Sequence, residues 1–210
     1  MTVTIVILII TILVSIQAME NQDMKYKMMF NPVYCADDGQ WYRVLSHALI
    51  HADWMHLIFN MYVLWMFGQG VEMGNGRYDT NSYVGLNGNV GYMYFAVMYV
   101  GGAAFATLPS LIRRRHDRGY FSLGASGAVS AVVFSFILLN PGAKMGLLFL
   151  PIMAPAYIFG AIYLAAEYFL SKQNRTGIAH DAHFAGAIFG IIFTFATNAE
   201  NVIRLWKNIF

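Results

Sequence analysis

Long apolar runs alternate along the chain with short groups of glycine, proline, asparagine and charged residues. A helix needs about 20 apolar residues to cross the roughly 30 Å hydrocarbon core of a bilayer. The pattern therefore predicts one membrane domain over 1–210 with six spanning helices, at 1–18, 49–67, 90–112, 127–140, 147–170 and 178–197. Because 1–18 lacks a basic start and a convincing cleavage site, we expect a retained membrane helix. The mixture of charges, aromatics and methionines in 19–46 is typical of a loop in the membrane interface.

The amino-acid composition also indicates a membrane protein. Hydrophobic residues make up 58% of the 210 residues and charged residues 11%, whereas about a quarter of a typical soluble domain is charged. We therefore expect an all-α membrane protein. A formal net charge of +2, spread along the chain, gives no reason to expect a nucleic-acid partner. Cys35 is the only cysteine, so an internal disulfide is excluded.

The fourth predicted span is too short for a bilayer, since about 15 residues make roughly 22 Å of helix. One end of 127–140 must then stop inside the membrane, where irregular backbone survives beside protein or water. Ser126 lies at that end, within Gly124-Ala-Ser-Gly127, and is a candidate nucleophile. A helix N-terminus also offers unpaired N–H groups to an oxyanion. The alternative is that these small residues only form a helix-packing surface.

The second predicted span carries three histidines near its start. His47 and His51 share a helical face, but His56 lies about 140° further round, so one helix cannot aim all three at one metal ion. His56 and Asn60, four residues apart, do share a face. Polar side chains are costly inside a membrane, so this pair indicates either a functional site or hydrogen bonding between helices.

The sixth predicted span places His183 on a stripe of small residues that includes Ala187 and Gly190. Such a stripe allows close approach to another helix, and the small residues after Ser126 are the natural partner. His183 could then reach the serine hydroxyl as a general base. Asp181 lies about 200° away from His183 on the helix, so we expect a Ser-His dyad without a third member.

Three motifs in matching order and spacing, from about residue 43 to residue 190, resemble the rhomboid family of intramembrane serine proteases. They are Gly124-x-Ser126-Gly127, His56-x-x-x-Asn60 and His183-x-x-Gly186-x-x-x-Gly190.

The resemblance implies a six-transmembrane-helix rhomboid-like bundle that hydrolyses a peptide bond in or near a transmembrane helix. Ser126 is then the nucleophile and His183 the general base and acid. His56, Asn60 and the Ser126 backbone N–H form the oxyanion hole. The implied partners are the lipid bilayer and single-pass membrane substrates, with no cofactor and no metal.

Two positions depart from the family pattern. Some members place an aromatic residue four positions after the nucleophile, stacked on the catalytic histidine, and Ser130 stands there in this chain. Many have Trp-Arg before the second helix, whereas Tyr42 precedes Arg43 here. Glu72 and Glu167 are interpreted as charges at helix ends, either of which could tie down a loop.

Two other functions stay open on the sequence. A non-proteolytic rhomboid-like protein that binds membrane clients is disfavoured because both the serine and the histidine are present. A metal-dependent membrane enzyme or transporter would use histidines of the second and sixth spans, namely His47, His51, His180 and His183.

Alternating spans bring the starts of the second, fourth and sixth helices to one side, where all the candidate groups meet. The family's usual arrangement turns this side outward, in the plasma (inner) membrane. The basic residues oppose that orientation, because most of them, including the cluster at 113–118, fall on the same side. The positive-inside rule would turn that side towards the cytoplasm.

Overall fold

A computed structural model of the chain describes residues 1–74, 81–146, 153–173 and 179–209, without the side chain of Gln173. The helices are α1 (Val3–Glu20), α2 (Gln22–Met28), α3 (Pro32–Ala36), α4 (Arg43–Ser46), a 3₁₀ turn (His47–Leu49), α5 (Trp54–Glu72), α6 (Tyr83–Asn87), α7 (Val90–Ala106), α8 (Leu108–Arg113), α9 (Ser126–Leu139), α10 (Ala156–Gln173) and α11 (His180–Lys207). Two three-residue strands, β1 (Lys144–Gly146) and β2 (Met153–Pro155), pair antiparallel before α10. The prediction of an all-α membrane protein is confirmed.

Three helical segments in the described part of the chain have the length and hydropathy of membrane spans: α1, α7 with α8, and α11. Helix α9 is a shorter apolar helix of 14 residues. Helix α5 begins later than the predicted span because the Asp53 side chain accepts a hydrogen bond from the N–H of His56 and so caps the helix start. The predicted span at 147–170 begins on residues outside the described part; its next three residues form strand β2, and α10 covers the rest.

Helix α11 extends ten residues beyond the predicted end at 197. At Asn198 the backbone leaves helical geometry, with φ −142° and ψ 33°, so the helix bends there and continues to Lys207. The apolar pattern fades after residue 197, which is why hydropathy ended the predicted span at that point.

Helix α9 is the centre of the fold, with 11 of its 14 residues buried. A helix that is apolar all round is buried on every side. Glycines bring its neighbours very close: a Cβ on Gly186 would meet the backbone of Gly127, and a Cβ on Gly190 would meet the backbone of Ala131. The small-residue stripe of α11 therefore packs directly on the first half of α9.

Glu72 joins the end of α5 to the start of α1. Its buried carboxylate accepts hydrogen bonds from the backbone N–H of Val3 at 2.6 Å and of Thr4 at 2.8 Å, and from the Thr4 hydroxyl at 2.6 Å. The first N–H groups of a helix have no partner within the helix, so Glu72 supplies one. These contacts support the alternative that Glu72 ties down another segment of the chain. They do not fit the interpretation of Glu72 as a charge at a helix end.

The 19–46 connection folds around the buried guanidinium of Arg43. This group donates to the Gln40 side chain at 2.7 Å and to the carbonyls of Tyr26 and Met29 at 2.8 and 2.6 Å. The same connection is joined to the loop before α9, because Phe30 and Ser122 exchange backbone hydrogen bonds. The loop that leads into Ser126 is therefore held from outside the helical core.

Candidate active site

Ser126 is the first residue of α9 and is half-buried. The turn before it depends on Gly124, whose φ of +116° disfavours any residue with a side chain. A Cβ on Gly124 would also lie 2.6 Å from Cε1 of His56. This glycine therefore lets the chain turn sharply and brings the loop before Ser126 against the His56 imidazole.

The structure brings Ser126 and His183 together. Nε2 of His183, in the first turn of α11, lies 2.7 Å from Oγ of Ser126. This is the distance of a good hydrogen bond between a serine hydroxyl and an imidazole that can take its proton. The close packing of Gly186 on Gly127, one turn further along α11, sets the two helices at this separation.

Glu167 of α10 was not predicted to be part of the site. One of its carboxylate oxygens lies 3.1 Å from Nδ1 of His183, and the other lies 2.7 Å from Nδ1 of His180. The carboxylate side chain is 9% exposed and the His183 side chain 17%. The interpretation of Glu167 as a helix-end charge is replaced by a buried contact with the imidazole that touches Ser126.

The sequence did contain a signal for Glu167. A carboxylate inside an apolar helix is expensive and therefore a functional hint. Tyr163 lies four residues before it, on the same face of α10, and its hydroxyl is 3.3 Å from Oγ of Ser130. That polar face meets α9 through Tyr163 and α11 through Glu167, which the sequence alone does not reveal.

Ser130 and Asp181 line the same cavity as Ser126 and His183, but their hydrogen bonds go to other partners. The small Ser130 side chain leaves room for Tyr163 to approach α9. The Asp181 carboxylate accepts a hydrogen bond from the N–H of its neighbour Ala182 at 2.9 Å.

His56 and Asn60 line the same cavity as Ser126 and His183, which has a volume of about 810 Å³. Asn60 donates through Nδ2 to the carbonyl of His56 at 2.8 Å, which uses one of the two hydrogens of its amide. Among the residues that the structure describes, the second hydrogen has no acceptor. The cavity thus contains a hydroxyl, an imidazole that touches it, and two further side chains able to donate hydrogen bonds.

His51 and His47 support the turn before Ser126. The N–H of Ala125 donates to Nε2 of His51 at 3.3 Å, and Nδ1 of His51 lies 2.9 Å from the Ser15 hydroxyl of α1. The carbonyl of His47 accepts from the N–H of Gly124 at 2.9 Å. Burial of the His47 ring lowers its pKa to about 4, because charge is disfavoured away from water.

One group of metal-ligand type occurs among the described residues. It consists of Glu167, His180 and His183, whose donor atoms all lie within 4.8 Å of one another. Two imidazole nitrogens and a carboxylate are suitable ligands for Zn²⁺. The same atoms are already paired as hydrogen-bond donors and acceptors, as given above.

Comparison with known proteins bears on what this arrangement does. A family model described as the Rhomboid domain matches residues 38–200. The chain is 29% identical over 163 residues to RHOMBOID-like protein 12, mitochondrial, of Arabidopsis thaliana, covering 73% of this chain and 46% of that protein. It is 26% identical over 180 residues to Presenilin-associated rhomboid-like protein A, mitochondrial, of Danio rerio, covering 79% and 41%. The chain thus spans less than half the length of these two relatives.

Rhomboid protease GlpG of Haemophilus influenzae is 27% identical over 174 residues, covering 82% of this chain and 78% of that protein. In this case the similarity extends over most of both chains.

The comparisons correct one expectation. The predicted plasma (inner) membrane location is wrong, because the Arabidopsis and Danio relatives are named as mitochondrial proteins. A multi-pass membrane protein remains supported by the long apolar helices.

Proposed function

Because this chain belongs to the rhomboid family, we propose that it is an intramembrane serine endopeptidase in which Ser126 and His183 form the catalytic dyad. The observation that carries the proposal is the 2.7 Å contact between Ser126 Oγ and His183 Nε2 beside a cavity. Nucleophile and base within hydrogen-bond distance are the signature of an activated serine.

The reaction follows the chemistry of acyl transfer. His183 Nε2 takes the hydroxyl proton while Ser126 Oγ attacks the carbonyl carbon of the scissile peptide bond. The resulting imidazolium then gives its proton to the leaving nitrogen, and an acyl-enzyme ester remains on Ser126. Water, deprotonated by the same imidazole, hydrolyses the ester and restores the hydroxyl.

His56, Asn60 and the backbone N–H of Ser126 are proposed as oxyanion donors. The Ser126 N–H is one of the first groups of α9 and has no acceptor within the helix. The partial positive charge of the helix N-terminus adds to the attraction for a developing negative charge. Removing one such donor typically costs about 3 to 4 kcal/mol of transition-state stabilisation.

The proposed substrates are membrane proteins with a single transmembrane helix. A helical peptide bond is protected, so the substrate must unwind locally to present an extended carbonyl to Ser126. The cavity of about 810 Å³ is lined by polar groups at the dyad and by apolar side chains such as Phe59 and Val63. A cavity with one polar and one apolar part suits a substrate segment that leaves the lipid and enters a polar site.

The test is cleavage of a model transmembrane substrate by the protein reconstituted in liposomes. The wild-type protein should cleave it, and Ser126→Ala and His183→Ala should each abolish cleavage. The matched control is His116→Ala, an exposed histidine in the loop after α8. Full activity in either dyad variant, or an inactive wild-type protein that is folded, would contradict the proposal.

A further inference from the structure

Helix α10 brings a carboxylate to the side of His183 opposite Ser126. We propose that Glu167 is a positioning residue that fixes the tautomer and orientation of His183, so that the dyad works as a carboxylate–imidazole–hydroxyl chain. This inference rests on the proposed protease function and adds to it a residue outside the three sequence motifs. It assigns no contact between Glu167 and the substrate.

The bonding pattern determines which nitrogen of His183 carries the proton. An ionised carboxylate accepts hydrogen bonds and donates none. The 3.1 Å contact between Glu167 and Nδ1 of His183 therefore places the proton of the neutral imidazole on Nδ1. Nε2 then presents a lone pair to the Ser126 hydroxyl at 2.7 Å, which is the state that a general base needs.

Charge is the second contribution of the carboxylate. When His183 takes the proton of Ser126, its ring becomes positive while its side chain is only 17% exposed. Glu167, whose side chain is 9% exposed, is then the adjacent negative charge. A buried charge pair of this kind interacts strongly because the surrounding dielectric is low.

His180 keeps Glu167 in the required position. It lies three residues before His183 on the same face of α11, and its Nδ1 is 2.7 Å from the second carboxylate oxygen. Because His180 holds the second carboxylate oxygen, the first carboxylate oxygen is directed at His183. One carboxylate therefore bridges two imidazoles on adjacent turns of α11.

A contact between Tyr163 of α10 and Ser130 of α9 explains why α10 can bring the Glu167 carboxylate to His183. The Tyr163 hydroxyl lies 3.3 Å from Ser130 Oγ, one turn before Glu167. A large side chain at position 130 would occupy the space that Tyr163 fills. The small Ser130 thus allows α10 to approach α9 and brings Glu167 to the imidazole.

A metal ion is the competing interpretation of the same three residues, since their donor atoms lie within 4.8 Å of one another. Zinc bound through the Nδ1 lone pair of His183 would leave the proton on Nε2, which could then no longer accept a proton from Ser126. The two interpretations therefore predict opposite effects. Under the hydrogen-bonding interpretation, a chelator leaves activity unchanged and added Zn²⁺ inhibits; under a catalytic metal, the chelator abolishes activity.

The experiment compares wild-type protein with Glu167→Gln and Glu167→Asp in the reconstituted cleavage assay, with Glu200→Gln, an exposed carboxylate on α11, as the matched control. Loss of a hydrogen bond to a buried charge predicts a fall in kcat of about tenfold to a hundredfold for Glu167→Gln, with KM changed less than about twofold. Glu167→Asp keeps the negative charge and should retain more activity than Glu167→Gln. Equal kcat in Glu167→Gln and wild type, or the reverse order of the two variants, would overturn the proposal.

The pH dependence distinguishes positioning from a general structural role. Without the adjacent carboxylate the imidazolium of His183 is less stable, so the acidic limb of the kcat/KM profile should move to lower pH in Glu167→Gln. A structural defect alone would lower activity without moving this limb. If the acidic limb of the Glu167→Gln profile stays at the wild-type position, that result would count against the role assigned to Glu167.

A measurement independent of activity completes the test. Histidine ¹⁵N NMR of Ser126→Ala protein should show His183 protonated on Nδ1 and unprotonated on Nε2, and Glu167→Gln in the same background should lose this preference. An unchanged tautomer in the double variant would overturn the inference. A folded wild-type protein that shows the expected tautomer but cleaves nothing would instead contradict the protease function.

Discussion

Gly186→Ala is the change that connects helix packing to catalysis most directly. The added methyl group would meet the backbone of Gly127, next to Ser126, well inside the 3.0 Å that Cβ atoms essentially never cross. Backbone cannot move aside as the end of a flexible side chain can. Helices α9 and α11 must therefore separate by about 1 Å at this point, which loses a large part of their dispersion contacts.

Two magnitudes follow from this separation. Overpacking costs about 1 to 3 kcal/mol, and the better helix propensity of alanine returns up to about 1 kcal/mol. The net cost is thus up to about 3 kcal/mol, and because each kcal/mol lowers the Tm of a chain of this size by about 2 to 4 °C, we expect a decrease of up to roughly 12 °C. If the separation reaches the dyad, the 2.7 Å contact between Ser126 and His183 lengthens beyond good hydrogen-bond distance, and turnover falls about a hundredfold.

The assays are thermal unfolding in detergent and cleavage in liposomes. Gly142→Ala is the control, because the nearest atom to its added methyl group is Cδ1 of Ile209 at 3.8 Å. That variant should resemble wild type in both measurements. A Gly186→Ala protein with wild-type Tm and wild-type turnover would refute the close contact between α11 and α9.

Three further predictions concern the oxyanion site, a buried carboxylate and a buried imidazole. Asn60→Ala should lower kcat about 10²- to 10³-fold in the cleavage assay with KM little changed, and an unchanged kcat would remove Asn60 from the oxyanion hole. Glu72→Gln should lower Tm in detergent, because it weakens three hydrogen bonds at the start of α1, each worth about 1 kcal/mol or more; an unaltered Tm would show that this link adds no stability. The pKa of buried His47 is about 4, against an ordinary value of 6.5, so stability should be complete above about pH 6.5 and fall as the unfolded state gains a proton below it. The loss should reach about 2 kcal/mol at pH 5 in pH-dependent unfolding, and His47→Gln should show a shallower decline; identical slopes would contradict this origin.

The close packing of α11 on α9 could be anticipated from the sequence because helical spacing places small residues on one face of α11. Gly186 and Gly190 follow His183 along one side of α11, and glycine on a membrane helix indicates close approach to a neighbour. The small residues after Ser126 offered the matching surface. Both glycines do contact the α9 backbone.

Glu167 could not be placed by the same reasoning. Periodicity shows which residues share a face of α10, but the neighbour that this face meets depends on the packing of all the helices.

The start of α5 was missed for a more local reason. Hydropathy extended the span back to residue 49, whereas Asp53 caps the helix by accepting from the N–H of His56. An N-cap pattern of Asp followed by an apolar helix was present and would have placed the start at Trp54.

The central claim is that the hydroxyl of Ser126 is activated by His183. The most direct measurement is covalent labelling of the purified, folded protein by a fluorophosphonate probe, which reacts with activated serines. We expect one label on wild-type protein, located at Ser126 by mass spectrometry, with no label on Ser126→Ala and strongly reduced labelling of His183→Ala. Equal labelling of wild type and Ser126→Ala would contradict the account.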